Sequence, residues 1–241
     1  MHTFYLEPEN WHALALTGNE FHHLSKVLRL KAGDEISLLD GKGKEAICRI
    51  AGIDKKEAKL TLLAEKMYPE EQSRITLALG WGKAARRGFI LEKCVELEAH
   101  ALWFWQAERS QFPVPKDMKN SWQEQLIAGA KQCKNPYLPE ISALSKGVKE
   151  LIEKSKDFEH KQLLVESDYQ HEAFLAEKDL GLKGDTLCVI GPEGGFSPKE
   201  VELLVDAGFK TYTIGNRILR WETAAVMVLG LHWWNKQQKK Q

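Results

Sequence analysis

The chain has 241 residues, 43% hydrophobic and 28% charged. This is an ordinary balance for a globular protein of one large domain, or of a small domain joined to a medium one. Its 34 Lys and Arg equal its 34 Asp and Glu, which disfavours a protein that coats nucleic acid through an overall basic surface and leaves room for a local basic patch.

The opening MHTFYLEPENW has no basic region followed by an apolar core, so it does not read as a signal peptide. No later stretch approaches the ~20 apolar residues of a membrane span, and the expected location is the cytoplasm, without a membrane partner. FHHLSKVLRLKAGD begins as a short amphipathic helix, with Phe21, Leu24, Val27 and Leu28 at helical spacing, and runs into a turn at residues 32–34. EISLLD, KEAICRIAGI and EAKLTLLAE read as strands separated by turn residues, which predicts a small antiparallel barrel or sheet. Residues 67–74, MYPEEQSR, read as a linker, dividing the chain into residues 1–70 and 71–241.

From residue 75 the rhythm becomes strand then helix. RITLALGW, ALWFWQA, KQLLVES, TLCVIG and KTYTIG are predicted strands. AARRGFILEKCVELEA, SWQEQLIAGAKQC, SPKEVELLVDAG and ETAAVMVLGLHWWNKQ are predicted helices. This alternation predicts an α/β fold with a mostly parallel sheet. The helix at 197–208 has Ser197 at its N-cap, Pro198 at N1, Glu200 at N3 and a closing Gly208. Cys48, Cys94, Cys133 and Cys188 are dispersed and form no CxxC pair, which removes zinc-ribbon and dithiol readings and leaves buried thiols. The pair His22-His23 lacks further ligands, so no metal is expected. LWFWQ reads as a buried strand, and Trp233-Trp234 as core or subunit interface.

Two segments carry chemistry. In IGPEGGFSPKE a strand feeds a Gly-rich turn and a helix N-terminus, the geometry of anion and nucleotide sites. It lacks the GxxxxGK[ST] of a P-loop and the GxGxxG of a dinucleotide fold. Pro192 removes one backbone donor and Glu193 puts negative charge where a phosphate would sit. The loop therefore suits a neutral or cationic guest lying flat on backbone; a tight turn with no ligand is the alternative. In TIGNRILRWETAA a second strand ends at Ile214-Gly215, followed by Asn216, Arg217, Arg220 and Glu222. Glu222 and Thr223 suit a helix start, whereas arginines after the carboxyl end of a parallel strand sit where α/β sheets bind ligands.

These two segments, in this order and spacing, resemble the signature pair of the SPOUT-type RNA methyltransferases. More narrowly they resemble the 16S ribosomal RNA uridine-N3 methyltransferases (ribosomal small subunit methyltransferase E). FHHLSKVLRLKAGDEISLLDG, LEKCVELEA, AERSQF, WQEQLIAGAKQCKNPYLPEI and LLVES fall where that family has comparable segments. The chain departs from it at Glu98, where Gly is usual, at the extreme N-terminus, at Lys134-Asn135, and at Trp221.

The resemblance implies a trefoil-knotted, mostly parallel sheet domain preceded by a PUA-like β-barrel. It implies S-adenosylmethionine bound by loops containing Leu164, Glu166, Ile190, Gly191, Pro192, Glu193, Gly194, Gly195, Ile214, Gly215, Ile218, Leu219 and Arg220. Arg220 and Glu222 are the catalytic candidates: an Arg beside a uridine O2 or O4 stabilises the anion left when N3 loses its proton, as oxyanion donors do. Lys26, Arg29, Lys31, Lys83, Arg86, Arg87 and Arg217 are the candidate RNA contacts. The implied partners are 16S rRNA or the small ribosomal subunit and a second copy of the chain. Two other readings are an RNA-binding module of the same fold without methyl transfer, and a Rossmann-type nucleotide enzyme, which the missing GxGxxG argues against.

Overall fold

The computed structural model describes residues 1–82, 87–116, 119–166, 173–176, 179 and 183–239. They form two compact units. The first comprises Met1–Glu70 and Leu126–Leu138, the second Glu71–Gln125 and Pro139–Gln241.

In the first unit, β1 (His2–Tyr5), β2 (Ala15–Thr17), β3 (Glu35–Leu39), β4 (Lys44–Ile53) and β5 (Glu57–Met67) make one sheet in the order β1-β3-β4-β5-β2. The sheet is antiparallel except for β1, which pairs parallel with β3 and places His2 opposite Ile36. The core of the unit combines Phe4, Leu16, Ile36, Leu38 and Ile50 from the sheet with Leu24 from the turn after α1. The predicted N-terminal helix is α1 (Gly18–His22) continued by a π turn over His23–Val27; its wider ring closes between the Leu28 N–H and the His23 carbonyl at 2.9 Å.

By its contacts, Leu126–Leu138 belongs to the first unit. Polar contacts explain this. Lys131 Nζ is 2.6 Å from Glu20 Oε1, and the Tyr137 hydroxyl donates to the Tyr68 carbonyl at 2.6 Å. Gly43 makes room for that phenol, since a Cβ there would lie 2.4 Å from its oxygen.

The second unit contains β6 (Ser73–Gly80), α2 (Arg87–Glu96), β7 (Ala101–Trp105), α3 (Asn120–Cys133), which continues into the first unit, β8 (Glu140–Leu144), α4 (Val148–Lys154) and β9 (His160–Leu164). Then follow β10 (Ala173–Phe174), β11 (Gly184–Ile190), α5 (Pro198–Asp206), β12 (Lys210–Thr213) and α6 (Trp221–Lys239). The sheet order is β10-β12-β9-β11-β6-β7-β8, and every neighbouring pair is parallel. Its carboxyl ends therefore share one edge. The strands read as continuous apolar runs because helices cover them: Leu77, Leu79, Leu163, Leu187 and Val189 are fully buried. The N-cap reading at α5 is realised: Ser197 and Glu200 form a capping box. Cys94 and Cys188 are buried, and burial pushes each thiol up to about 12.

The departure at Glu98 has a visible consequence. The residue turns the chain from α2 into β7 with φ of 55°, in the left-handed region that suits glycine. Its carboxylate accepts from Trp233 Nε1 at 3.3 Å and from Lys236 Nζ at 2.9 Å. Lys236 is 5% exposed, so this bond holds a buried ammonium on α6. Glu98→Ala loses the clamp and keeps the strained backbone, whereas Glu98→Gly loses the clamp and relieves the strain. The expected stability order in urea unfolding is wild type, then Glu98→Gly, then Glu98→Ala, with about 1 kcal/mol between the two variants.

Candidate functional site

The loops after β9, β11 and β12 leave three adjacent strands at the same edge of the sheet, with β9 between the other two. Ligands of open α/β sheets bind in such a crevice outside the carboxyl ends. The loops line a cleft of about 190 Å³.

The β11 loop is built by close backbone approach. The Gly195 N–H bonds the Pro192 carbonyl at 2.8 Å, closing a tight turn, and Gly195 itself has φ of 69°. The turn rests on the end of β6: a Cβ on Gly80 would lie 2.3 Å from the Pro192 nitrogen, and one on Gly194 would lie 3.1 Å from Arg109 Cβ. Two indoles hold the strand ends beneath it. Trp105 Nε1 donates to the Ile190 carbonyl at 3.3 Å, and Trp221 Nε1 to the Gly80 carbonyl at 3.1 Å. The Ser197–Glu200 cap adds a link to the neighbouring loop, since Glu200 Oε1 accepts the Glu108 N–H at 2.8 Å. On the third loop, Thr213 Oγ1 donates to the Gly215 carbonyl at 2.9 Å.

Leu164, Glu166, Ile190, Gly191, Pro192, Glu193, Gly194, Gly195, Ile214, Gly215, Ile218 and Leu219 all line this one cleft. Arg217, read from the sequence as an RNA contact, lines it too. Arg220 does not. It sits with Glu222, Thr223, Phe89, Val226 and Met227 around a separate shallow depression at the start of α6. Lys26, Arg29 and Lys31 are exposed on the first unit, between α1 and β3. Arg87 is 9% exposed, so its side chain is enclosed rather than presented to solvent. Lys83 and Arg86 lie outside the described residues.

Arg109, and Trp221, which the sequence marked only as a departure from the family pattern, also line the cleft. Arg109 Nη1 donates to the Gly194 carbonyl at 3.2 Å. The signal that flagged Arg217, an arginine shortly after a parallel strand, applies equally to Arg109 after β7.

The comparisons agree with this geometry. Residues 69–233 match the family model described as an RNA methyltransferase domain, and residues 16–63 match the RNA methyltransferase PUA domain. The fold is thus that of the RNA methyltransferase class that carries a PUA unit. Ribosomal RNA small subunit methyltransferase E of Bacillus subtilis is 30% identical over 226 residues, 89% of this chain and 87% of the relative. The enzyme of that name from Aquifex aeolicus is 27% identical, covering 96% of this chain and 98% of its own. The crystal structure of that methyltransferase from Neisseria gonorrhoeae, bound to S-adenosyl methionine, superimposes with a TM-score of 0.78 at 30% identity over 95% of both chains. This chain belongs to the ribosomal RNA small subunit methyltransferase E family.

The site generates one packing prediction. Gly80→Ala drives a methyl into the backbone of residues 191–192, where no rotamer change relieves it. It should lower stability by more than about 2 kcal/mol and deform the β11 loop, read as a lower unfolding midpoint together with loss of cleft ligand binding.

Proposed function

We propose that this protein transfers a methyl group from S-adenosylmethionine to N3 of a uridine near the 3′ end of 16S rRNA, in the small ribosomal subunit, and works in the cytoplasm as a homodimer. The observation that carries the reading is the cleft itself. Three loops on adjacent parallel strands offer backbone, apolar side chains and two carboxylates, Glu166 and Glu193, to one guest. That donor set fits the group: Leu164, Ile190, Ile214 and Leu219 would offer apolar surface to a purine, and Glu166 and Glu193 would accept from ribose hydroxyls or favour a cationic sulfur. When bound, S-adenosylmethionine supplies a methyl group already activated for displacement, so the protein contributes position and electrostatics.

The acceptor side rests on Arg220 and Glu222. N3 of uridine must lose a proton to become nucleophilic. Arg220 beside O2 or O4 stabilises the negative charge that spreads to the carbonyl oxygens, and Glu222 takes or positions the proton. Lys26, Arg29 and Lys31 on the PUA unit and Arg217 at the cleft supply phosphate contacts. A trefoil threading of the β9, β11 and β12 loops belongs to the same reading.

The dimer reading rests on the face that carries Arg220. Met227, Leu231 and Trp234 recur at helical spacing on α6 and are 38%, 42% and 58% exposed, and Phe89 on α2 is 43% exposed. Four large apolar side chains in solvent suit burial against a second copy, which brings the partner's surface to Arg220 and Glu222.

Nucleoside mass spectrometry of 16S rRNA from cells lacking the gene tests the reaction: 3-methyluridine should vanish and return on complementation. Unchanged 3-methyluridine with another methylated base missing relocates the target. Arg220→Ala should cut kcat by at least a hundredfold with cofactor affinity near wild type, and near-normal turnover would remove Arg220 from the chemistry. In sedimentation equilibrium, Trp234→Glu combined with Met227→Glu should convert a dimer to a monomer; a wild-type monomer at micromolar concentration would sink the dimer reading.

A further inference from the structure

The first residue of α2 is an arginine in an unusual place. Burying a guanidinium carries a desolvation cost, and Arg87 is 9% exposed. Its guanidinium stacks 3.7 Å from the Trp81 ring and lies 5.5 Å from Trp122 and 5.8 Å from Phe104. Those three rings pack edge-to-face or tilted on one another, with centroids 5.3–6.0 Å apart, and each is at most 6% exposed. The box fixes the guanidinium plane, and aromatic faces stabilise the cation. One further bond locks it: Nη2 donates to the Gly82 carbonyl at 3.2 Å.

The other side of Gly82 is occupied by the cofactor loop. A Cβ built on Gly82 would lie 2.1 Å from Glu193 Oε2 and 2.8 Å from Oε1. The carboxylate of the β11 turn therefore lies against the glycine whose carbonyl holds Arg87. Burial lowers the hold of the Arg87 guanidinium on its proton, and the Glu193 carboxylate opposes that shift. Glu193 also lines the cleft, so the same carboxylate faces both groups.

We propose that Arg87 is a positioning residue for the cofactor site: its boxed charge, acting across Gly82, sets the orientation in which Glu193 meets the bound nucleoside. Gly82 is part of the device, because any side chain there displaces the carboxylate. This assigns Arg87 to the cofactor side of the reaction and removes it from the RNA contacts. It rests on the reading of the cleft as an S-adenosylmethionine site.

The test is a double-mutant cycle read by calorimetry with S-adenosylmethionine, on the full-length protein. Arg87→Met and Glu193→Gln should each weaken binding about tenfold, and the double variant should be no weaker than either alone, because both remove one shared interaction. Independent, multiplicative losses would overturn the proposal. Gly82→Ala supplies a route that leaves the box intact: it should match Glu193→Gln in affinity with an unfolding midpoint close to wild type, and should add nothing to Glu193→Gln. These two variants decide the matter if Arg87→Met does not fold. In RNA binding, Arg87→Met should leave the slope of log affinity against log salt unchanged; a fall of about one with cofactor affinity intact would return Arg87 to the RNA surface. Absence of S-adenosylmethionine binding by the wild type would overturn the cofactor reading of the cleft and this inference with it, whereas wild-type binding with multiplicative losses overturns the inference alone.

Discussion

The site depends on two backbones lying against each other. The turn after β11 can sit over the end of β6 only because Gly80 and Gly82 present no side chain to residues 191–193. Parallel pairing of β6 with β11 brings the strands side by side, and the glycines let the loops above them touch. Trp221 and Trp105 then satisfy the Gly80 and Ile190 carbonyls, which would otherwise be buried acceptors at the strand ends. The α6 start, the β6 end and the glycine-rich turn are tied together through these bonds. A cleft assembled this way is rigid where it meets a ligand's flat face, and its acidic side chains are the adjustable part.

Much of this arrangement was legible because strand and helix periods differ. The apolar runs TLALG, LWFW and LCVI and the β-branched and aromatic run KTYT are too short for helices and are bounded by turn residues, so the α/β rhythm and the carboxyl-end loops followed. The α5 start was legible to the residue because Ser197, Pro198 and Glu200 each have one favourable position. Strand order was not. Which strand lies beside which depends on contacts between distant segments, and β9 between β11 and β12 has no local signal. Short pieces also escaped: β1, β2, β8, β10 and α4 lack a periodic run long enough to register. Part of the predicted linker, residues 67–74, proved to be strand, with Met67 closing β5 and Ser73 opening β6.

Charged residues were the hardest to place, for a physical reason. The sequence shows a cation's identity and spacing but not its neighbours. Arg87, Arg217 and Arg220 looked alike as members of a basic group near strand ends. The fold puts one in an aromatic box, one on the cleft and one just before α6, beside a separate depression. Trp221 looked like a departure from the family pattern and proves to be a hydrogen-bond donor to β6. Glu98, another departure, exchanges a relaxed glycine turn for a hold on Lys236.

The pairing of β6 with β11 also has a consequence for how the chain is made. Ile75 pairs with Thr186, more than a hundred positions later. At ~5–20 residues per second, the ribosome delivers β6 on the order of ten seconds before its partner. During that interval β6 can pair with β7 on one side only, leaving an apolar strand edge open. The nascent protein passes through a sticky half-sheet before its glycine-rich loop exists, so its yield in the cell should depend on chaperones or on pauses in translation more than its final stability would indicate.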